Sequence, residues 1–176
     1  MEDEEDHENE LVNMIDEERL KYTGSMIRGM NDALVELLGA LAGFTLAFQN
    51  SRLISVTGLI VGLAGTLSMF SSEYLAVKEE EAPSPLKAAF YTGIAYLFTV
   101  IFLISPYLIL SNLYLSLGLV IINAIIIILA FSFYISVARD VSFKKRFLEM
   151  MLISLSIAAI TFVIGFLARS LLHIEI

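Results

Sequence analysis

The sequence predicts an all-α polytopic membrane protein with five transmembrane helices and its N-terminus in the cytoplasm. Three observations carry that prediction. Of 176 residues, 57% are hydrophobic and only 17% charged, with a mean hydropathy of +0.79, too apolar for an ordinary soluble domain. The apolar residues fall into five long runs, each able to cross a hydrocarbon layer about 30 Å thick, which takes roughly 20 helical residues. The net charge of -8 is not spread along the chain: ten of the 19 acids lie in the first 20 residues, where Arg19 is the only base. The remaining residues carry nine acids against ten bases and are nearly neutral.

Residues 1–25 are read as an acidic cytoplasmic segment and residues 26–176 as the membrane domain. Within the segment, Asp3 to Glu10 repel one another and are expected to be disordered. Residues 8–23 suit a short amphipathic helix, with Leu11, Met14, Ile15 and Leu20 on one apolar face. The acidic start lacks the basic region of a signal peptide.

The expected spans are Met26–Phe48, Leu53–Val77, Lys87–Leu110, Leu113–Val137 and Phe147–Leu172. Continuous runs such as Ile121–Phe131 fit lipid-facing helices, whereas a β-barrel would alternate apolar and polar residues in segments of about ten. Pro83 and Pro85 punctuate the second loop, Pro106 is expected to kink or end the third span, and Asn123 to make an interhelical hydrogen bond. Nine of the eleven Lys and Arg residues fall on the N-terminal flank and the second and fourth loops, against Arg52 and Arg169 on the other side. That bias predicts a cytoplasmic N-terminus and an external C-terminus.

Composition also excludes chemistry. No dense basic face is available for nucleic acid. With no cysteine there is no disulfide, thiolate metal site or cysteine nucleophile. His7 and His173 sit at opposite ends of the chain, which leaves no histidine cluster. No enzyme is predicted.

The informative residues are those that do not belong in lipid, because an ionisable side chain in a span costs several kcal/mol when it faces hydrocarbon and marks a functional site by default. Asp32 and Glu36 are four residues apart, on one face of the first span. Met69 and Glu73 repeat that spacing in the second. If the two spans form an antiparallel hairpin turning at Gln49–Arg52, all four come within a turn of one layer, and three carboxylates and a thioether are expected to line one cleft. Gly39 and Gly43, and Gly58, Gly62 and Gly65, offer small-residue faces for close approach of the two helices. A bland reading stands beside this one: Arg28, one turn before Asp32, is a possible partner for the acids, and Glu73 has a route to snorkel to the boundary. Glu149 is expected to pair with Lys144, Lys145 or Arg146, and Glu79, Glu80 and Glu81 either gather cations or are simply solvated. Carboxylates with a methionine sulfur suit a divalent transition metal of intermediate softness, Fe2+ or Mn2+. Since burial disfavours a carboxylate's charged form, protons compete with metal for the same oxygens.

The runs GMNDALVELLGALAGFT (Gly29–Thr45) and SMFSSEYLAVKEE (Ser68–Glu80), in a five-span chain, resemble the vacuolar iron transporter family, including its prokaryotic members. The resemblance implies a homodimer that moves Fe2+, and often Mn2+, out of the cytosol in exchange for protons, along a path between the first spans of two subunits. It assigns metal contact to Asp32 and Met69, which match the family's pore aspartate and methionine, and puts Glu36 and Glu73 on acidic positions near that path. It implies no resident cofactor, the lipid bilayer and divalent ions as partners, and the cell membrane of a prokaryote as location. The long metal-collecting insertion of plant-type members is absent, since the loop Lys78–Leu86 keeps only Glu79–Glu81. A different class of function, a non-transporting membrane scaffold whose buried acids pair with Arg28 and whose acidic tail recruits a basic partner, accounts for the same composition. A membrane metalloenzyme ranks behind both, for want of nitrogen ligands and a nucleophile.

Overall fold

The computed structural model describes the backbone of residues 2–139 and 141–172 and the side chains of 22–137 and 141–171. Among these residues every regular element is helical: α1 (Glu2–Phe48), α2 (Ser51–Glu79), α3 (Pro85–Ile109), α4 (Leu113–Arg139) and α5 (Phe143–Leu172). Each contains a stretch long and apolar enough to cross a membrane: Tyr22–Phe48, Ser51–Glu79, Pro85–Ile109, Leu113–Val137 and Phe143–Leu171. Five spans were expected, and the bounds differ from the expected ones by a few residues.

The acidic segment, expected as partly disordered with a short amphipathic helix, is helical from Glu2 and continuous with the rest of α1. No Gly or Pro interrupts residues 2–22, and acids near a helix N-terminus interact favourably with its dipole. The side chains of that segment lie outside the described residues.

The bundle is built around α1 and α3. In their most apolar windows 44% and 56% of residues are buried, against 28% for α2 and α4 and 22% for α5, so the last three form the outer wall. α2 packs mainly on α3, and α1 packs on both α3 and α5. The core joins Leu34, Leu37, Leu38 and Leu41 of α1 to Tyr96, Val100, Leu103 and Ile104 of α3, with Val120 and Ile128 of α4. Large apolar residues such as Ile60, Leu67, Phe98 and Val163 point outward, as a lipid solvent requires.

The glycines act differently from expectation. Gly39 and Gly43 face Thr161 of α5, Gly62 faces Val100, and Gly65 faces Tyr96 of α3; only Gly58, against Leu41, lies on the α1–α2 contact. The two small-residue faces therefore do not meet each other. Each lets its helix approach a third one, because α1 and α2 both lean on neighbours supplied later in the chain.

The turn between α1 and α2 is short. Gln49 takes a positive φ of 46°, the left-handed position that ends many helices, and Asn50 caps α2 by accepting from the Leu53 N–H at 3.1 Å. Pro106 lies within the last turn of α3, which ends at Ile109. A proline has no N–H for the carbonyl four residues earlier, here that of Phe102. Asn123 Nδ2 donates to the Phe102 carbonyl across the α3–α4 interface at 2.8 Å, and Ser105 Oγ donates to it as well. The expected interhelical bond of Asn123 thus satisfies the carbonyl that Pro106 frees, the condition for a proline within a span.

Candidate functional site

The register of the α1–α2 hairpin decides which polar residues meet. Counted back from Phe48 and forward from Ser51, Arg28 and Glu73 stand 20 and 22 residues away, Asp32 and Met69 stand 16 and 18, and Glu36 and Gly65 stand 12 and 14. Three levels follow, one helical turn apart.

At the outermost of the three levels Glu73 is buried, 4% exposed, against Arg28, which is 57% exposed. Arg28 Nε donates to Glu73 Oε2 at 3.0 Å, Arg28 Nη2 donates to Oε1, and Ser25 Oγ donates to Oε1 at 2.6 Å. Both oxygens of Glu73 are engaged. This corrects the expected grouping: Glu73 does not line a common cleft with Asp32, Glu36 and Met69, because the nearest polar groups at its depth are Arg28 and Ser25. It also corrects the pairing of Arg28 with Asp32, since the guanidinium is turned to Glu73.

One and two turns deeper lies a hollow of about 300 Å³ lined by Asp32, Glu36, Gly65, Ser68 and Met69, with Val61 and Ala64 as its apolar wall. Sequence spacing placed three of these, Asp32, Glu36 and Met69, together, and the structure brings them together. Glu36 is one residue past the midpoint of the Tyr22–Phe48 span. Both carboxylates are on an exposed side of α1, yet at a depth where lipid would surround them. Among the described residues no cation pairs with either. A water occupies roughly 30 Å³, so the hollow has room for an ion that retains part of its hydration shell. Among the described residues no three His, Cys, Asp or Glu side chains converge as a closed metal cage. One chain therefore offers an open, incomplete donor set of two carboxylates and one thioether.

Residues 23–83 match the model of the VIT family. That is a family of membrane metal transporters, the vacuolar iron transporters, and the VIT match covers every residue of the hollow and the Arg28–Glu73 pair. The resemblance carried by the two motifs is thus shown over the first two spans and the turn that follows. No curated protein matches the chain.

Two contributors to the VIT-like site were not among the residues expected to line it, although Ser68 opens the second motif. Tyr96 of α3, 0% exposed, donates its hydroxyl to Glu36 Oε2 at 2.8 Å. Its signal in the sequence is a single phenol in an apolar run, which in a membrane must find an acceptor. Ser68 brings a hydroxyl to the hollow from the residue before Met69. Elsewhere Glu149 meets Arg146 at 3.5 Å, as expected of an interfacial acid among bases, and Glu79, Glu80 and Glu81 are exposed.

Proposed function

We propose that the chain is a proton-coupled transporter that moves Fe2+ or Mn2+ out of the cytosol through the hollow beside α1. The observation that supports this most is the mid-span meeting of Asp32, Glu36 and Met69 in a hollow that no Lys or Arg lines among the described residues. Carboxylate oxygens attract any divalent ion, whereas a thioether adds affinity for first-row transition metals and little for Mg2+ or Ca2+. An incomplete donor set favours transport over storage, because an ion held by few ligands is also released. Protonating either acid removes a ligand charge, so a proton arriving at the hollow drives the metal off. Tyr96 engages one oxygen of Glu36 and leaves the other for the ion or the proton.

The working unit is a homodimer. Asp32 and Glu36 lie on an uncovered face of α1, and leaving them against hydrocarbon costs several kcal/mol. A second copy, apposed along α1, covers that face and adds its own carboxylates and thioether to the path. Glu73, held by Arg28, belongs to the rim of this path and not to its ligands.

The test is flux in proteoliposomes containing the full chain, with an internal metal indicator and a pH dye. Wild-type protein moves Mn2+ or Fe2+ with opposing proton movement, and Asp32→Ala and Glu36→Gln abolish both while remaining folded. Equal flux in the two variants would sink the site, and metal flux without proton movement would sink the coupling.

A further inference from the structure

A second hollow of about 300 Å³ lies near the α4–α5 connection, between α1, α4 and α5. Ile27, Ile135 and Val141 make its apolar side, and Ser142, Lys145 and Arg146 its polar side. Glu149 completes the wall and is the only carboxylate on it among the described residues. It is half exposed and meets Arg146 Nη1 at 3.5 Å, a long single contact that leaves most of the five guanidinium donors unused. One of those, Arg146 Nε, is shielded from solvent and has no acceptor among the described residues. A buried donor is normally satisfied, so this one suits an acceptor brought by water or by a bound molecule.

The same three helices enclose a wholly different cavity deeper in the bundle, about 260 Å³, with Ala42, Ile121, Ala158 and Phe162 among its walls. Along α1, Ile27 and Ala42 are about 22 Å apart at 1.5 Å per residue, more than half of a hydrocarbon layer about 30 Å thick. One seam therefore has a cationic mouth at the membrane boundary and an apolar recess beneath it.

We propose that this seam binds one anionic phospholipid, with its phosphate between Lys145 and Arg146 and within reach of the Ser142 hydroxyl, and an acyl chain laid against Ile27 and Ile135 toward the deeper recess. Charge and shape argue for a lipid over free phosphate: among the described residues two cations outweigh one acid at the mouth, while an apolar wall gives inorganic phosphate nothing. The mouth also lies on the face that holds nine of the eleven Lys and Arg residues, the side that meets the anionic leaflet.

The site is tested by native mass spectrometry of the full chain in detergent, titrated with phosphatidylglycerol or phosphatidylcholine of the same acyl length. Wild-type protein retains one phosphatidylglycerol per chain, and Lys145→Gln and Arg146→Gln each weaken that binding about fivefold to tenfold without altering phosphatidylcholine. Lys144→Gln removes the same charge from an exposed neighbour outside the hollow and leaves binding intact. Equal loss in the Lys144 variant reduces the effect to diffuse surface charge and overturns the site. Equal retention of the two lipids, or displacement of phosphatidylglycerol by millimolar inorganic phosphate, overturns the lipid assignment. Should Arg146→Gln fail to fold, the exposed Lys145 decides alone.

Discussion

Gly65→Ala tests the architecture of the hollow at Asp32, Glu36 and Met69 through a single methyl group. A Cβ at position 65 would lie 2.1 Å from the Tyr96 hydroxyl oxygen and 2.7 Å from Cζ, where ordinary contact begins at 3.4 Å. The hydroxyl must retreat by about 1.3 Å or α2 must move off α3. Tyr96 is 0% exposed, so its ring has no solvent to swing into. Displacement on that scale breaks the 2.8 Å bond to Glu36 and moves a carboxylate that lines the hollow. Overpacking costs about 1–3 kcal/mol, and losing a hydrogen bond to a charged acceptor about 1.5–3 kcal/mol. With some relief by helix movement, the expected loss is about 2–4 kcal/mol.

Tyr96→Phe separates the two parts of this cost. Alone it removes the hydrogen bond without creating a clash. Combined with Gly65→Ala it removes the atom at 2.1 Å and leaves Cζ at 2.7 Å, so the overlap is reduced but not abolished. The double variant should therefore be more stable than the sum of the singles by about 1 kcal/mol or more, the signature of residues in contact. Thermal midpoints in detergent measure the coupling, and initial Mn2+ uptake into proteoliposomes measures its effect on the site. Additive midpoints, or a Gly65→Ala protein with wild-type stability and uptake, would refute the reasoning.

Three further outcomes are expected. Arg28→Gln leaves Glu73 buried without its cation and should destabilise by about 3 kcal/mol, read as a lowered thermal midpoint, whereas Glu73→Gln frees a half-exposed arginine that can reach water and costs less. Glu73→Gln should also keep most of the metal flux that Glu36→Gln loses, since the Glu73 carboxylate is outside the hollow; comparable losses of flux would return Glu73 to the ligand set. Asn123→Ala should cost about 1 kcal/mol by leaving the Phe102 carbonyl with the Ser105 hydroxyl as its donor, and Pro106→Ala should make that loss smaller by restoring a backbone N–H to the same carbonyl, a rescue that midpoints of the four proteins would show or deny.

Much of this was legible in the residues. Five apolar runs fix five spans because lipid leaves a helix no alternative partner for its backbone, and the four-residue spacing of Asp32 and Glu36 fixes their common face. Asp32, Glu36 and Met69 share one hollow because similar distances from a short turn keep them within about one helical turn in depth. Glu73 was grouped wrongly because a tolerance of one turn spans about 5.4 Å, enough to exchange Asp32 for Arg28 as its neighbour. Partners supplied by later helices were out of reach. Tyr96 lies 60 residues from Glu36 in the chain, and the tertiary packing that joins them leaves no periodic trace. The glycines mislead for the same reason: a small-residue face records that some helix comes close, and not which one.

The two kinds of intramembrane acid answer different physical demands. A carboxylate buried for structure needs a cation and donors at hand, and Glu73 has both in Arg28 and Ser25. Among the described residues Asp32 and Glu36 have between them one tyrosine hydroxyl, although they lie deeper, where leaving a charge uncompensated costs more. On the proposed function, the missing positive charge is brought by something the chain binds and releases. A permanent cation one turn deeper would make the hollow electrostatically complete and useless to a passing one. The placement of Arg28 a single turn above Asp32, turned to Glu73, is therefore as much a part of the proposed path as the acids it leaves alone. Moving that cation inward, as in Val61→Lys at the wall of the hollow, should block metal flux more completely than removing either acid, and a Val61→Lys protein that still transports would break this argument.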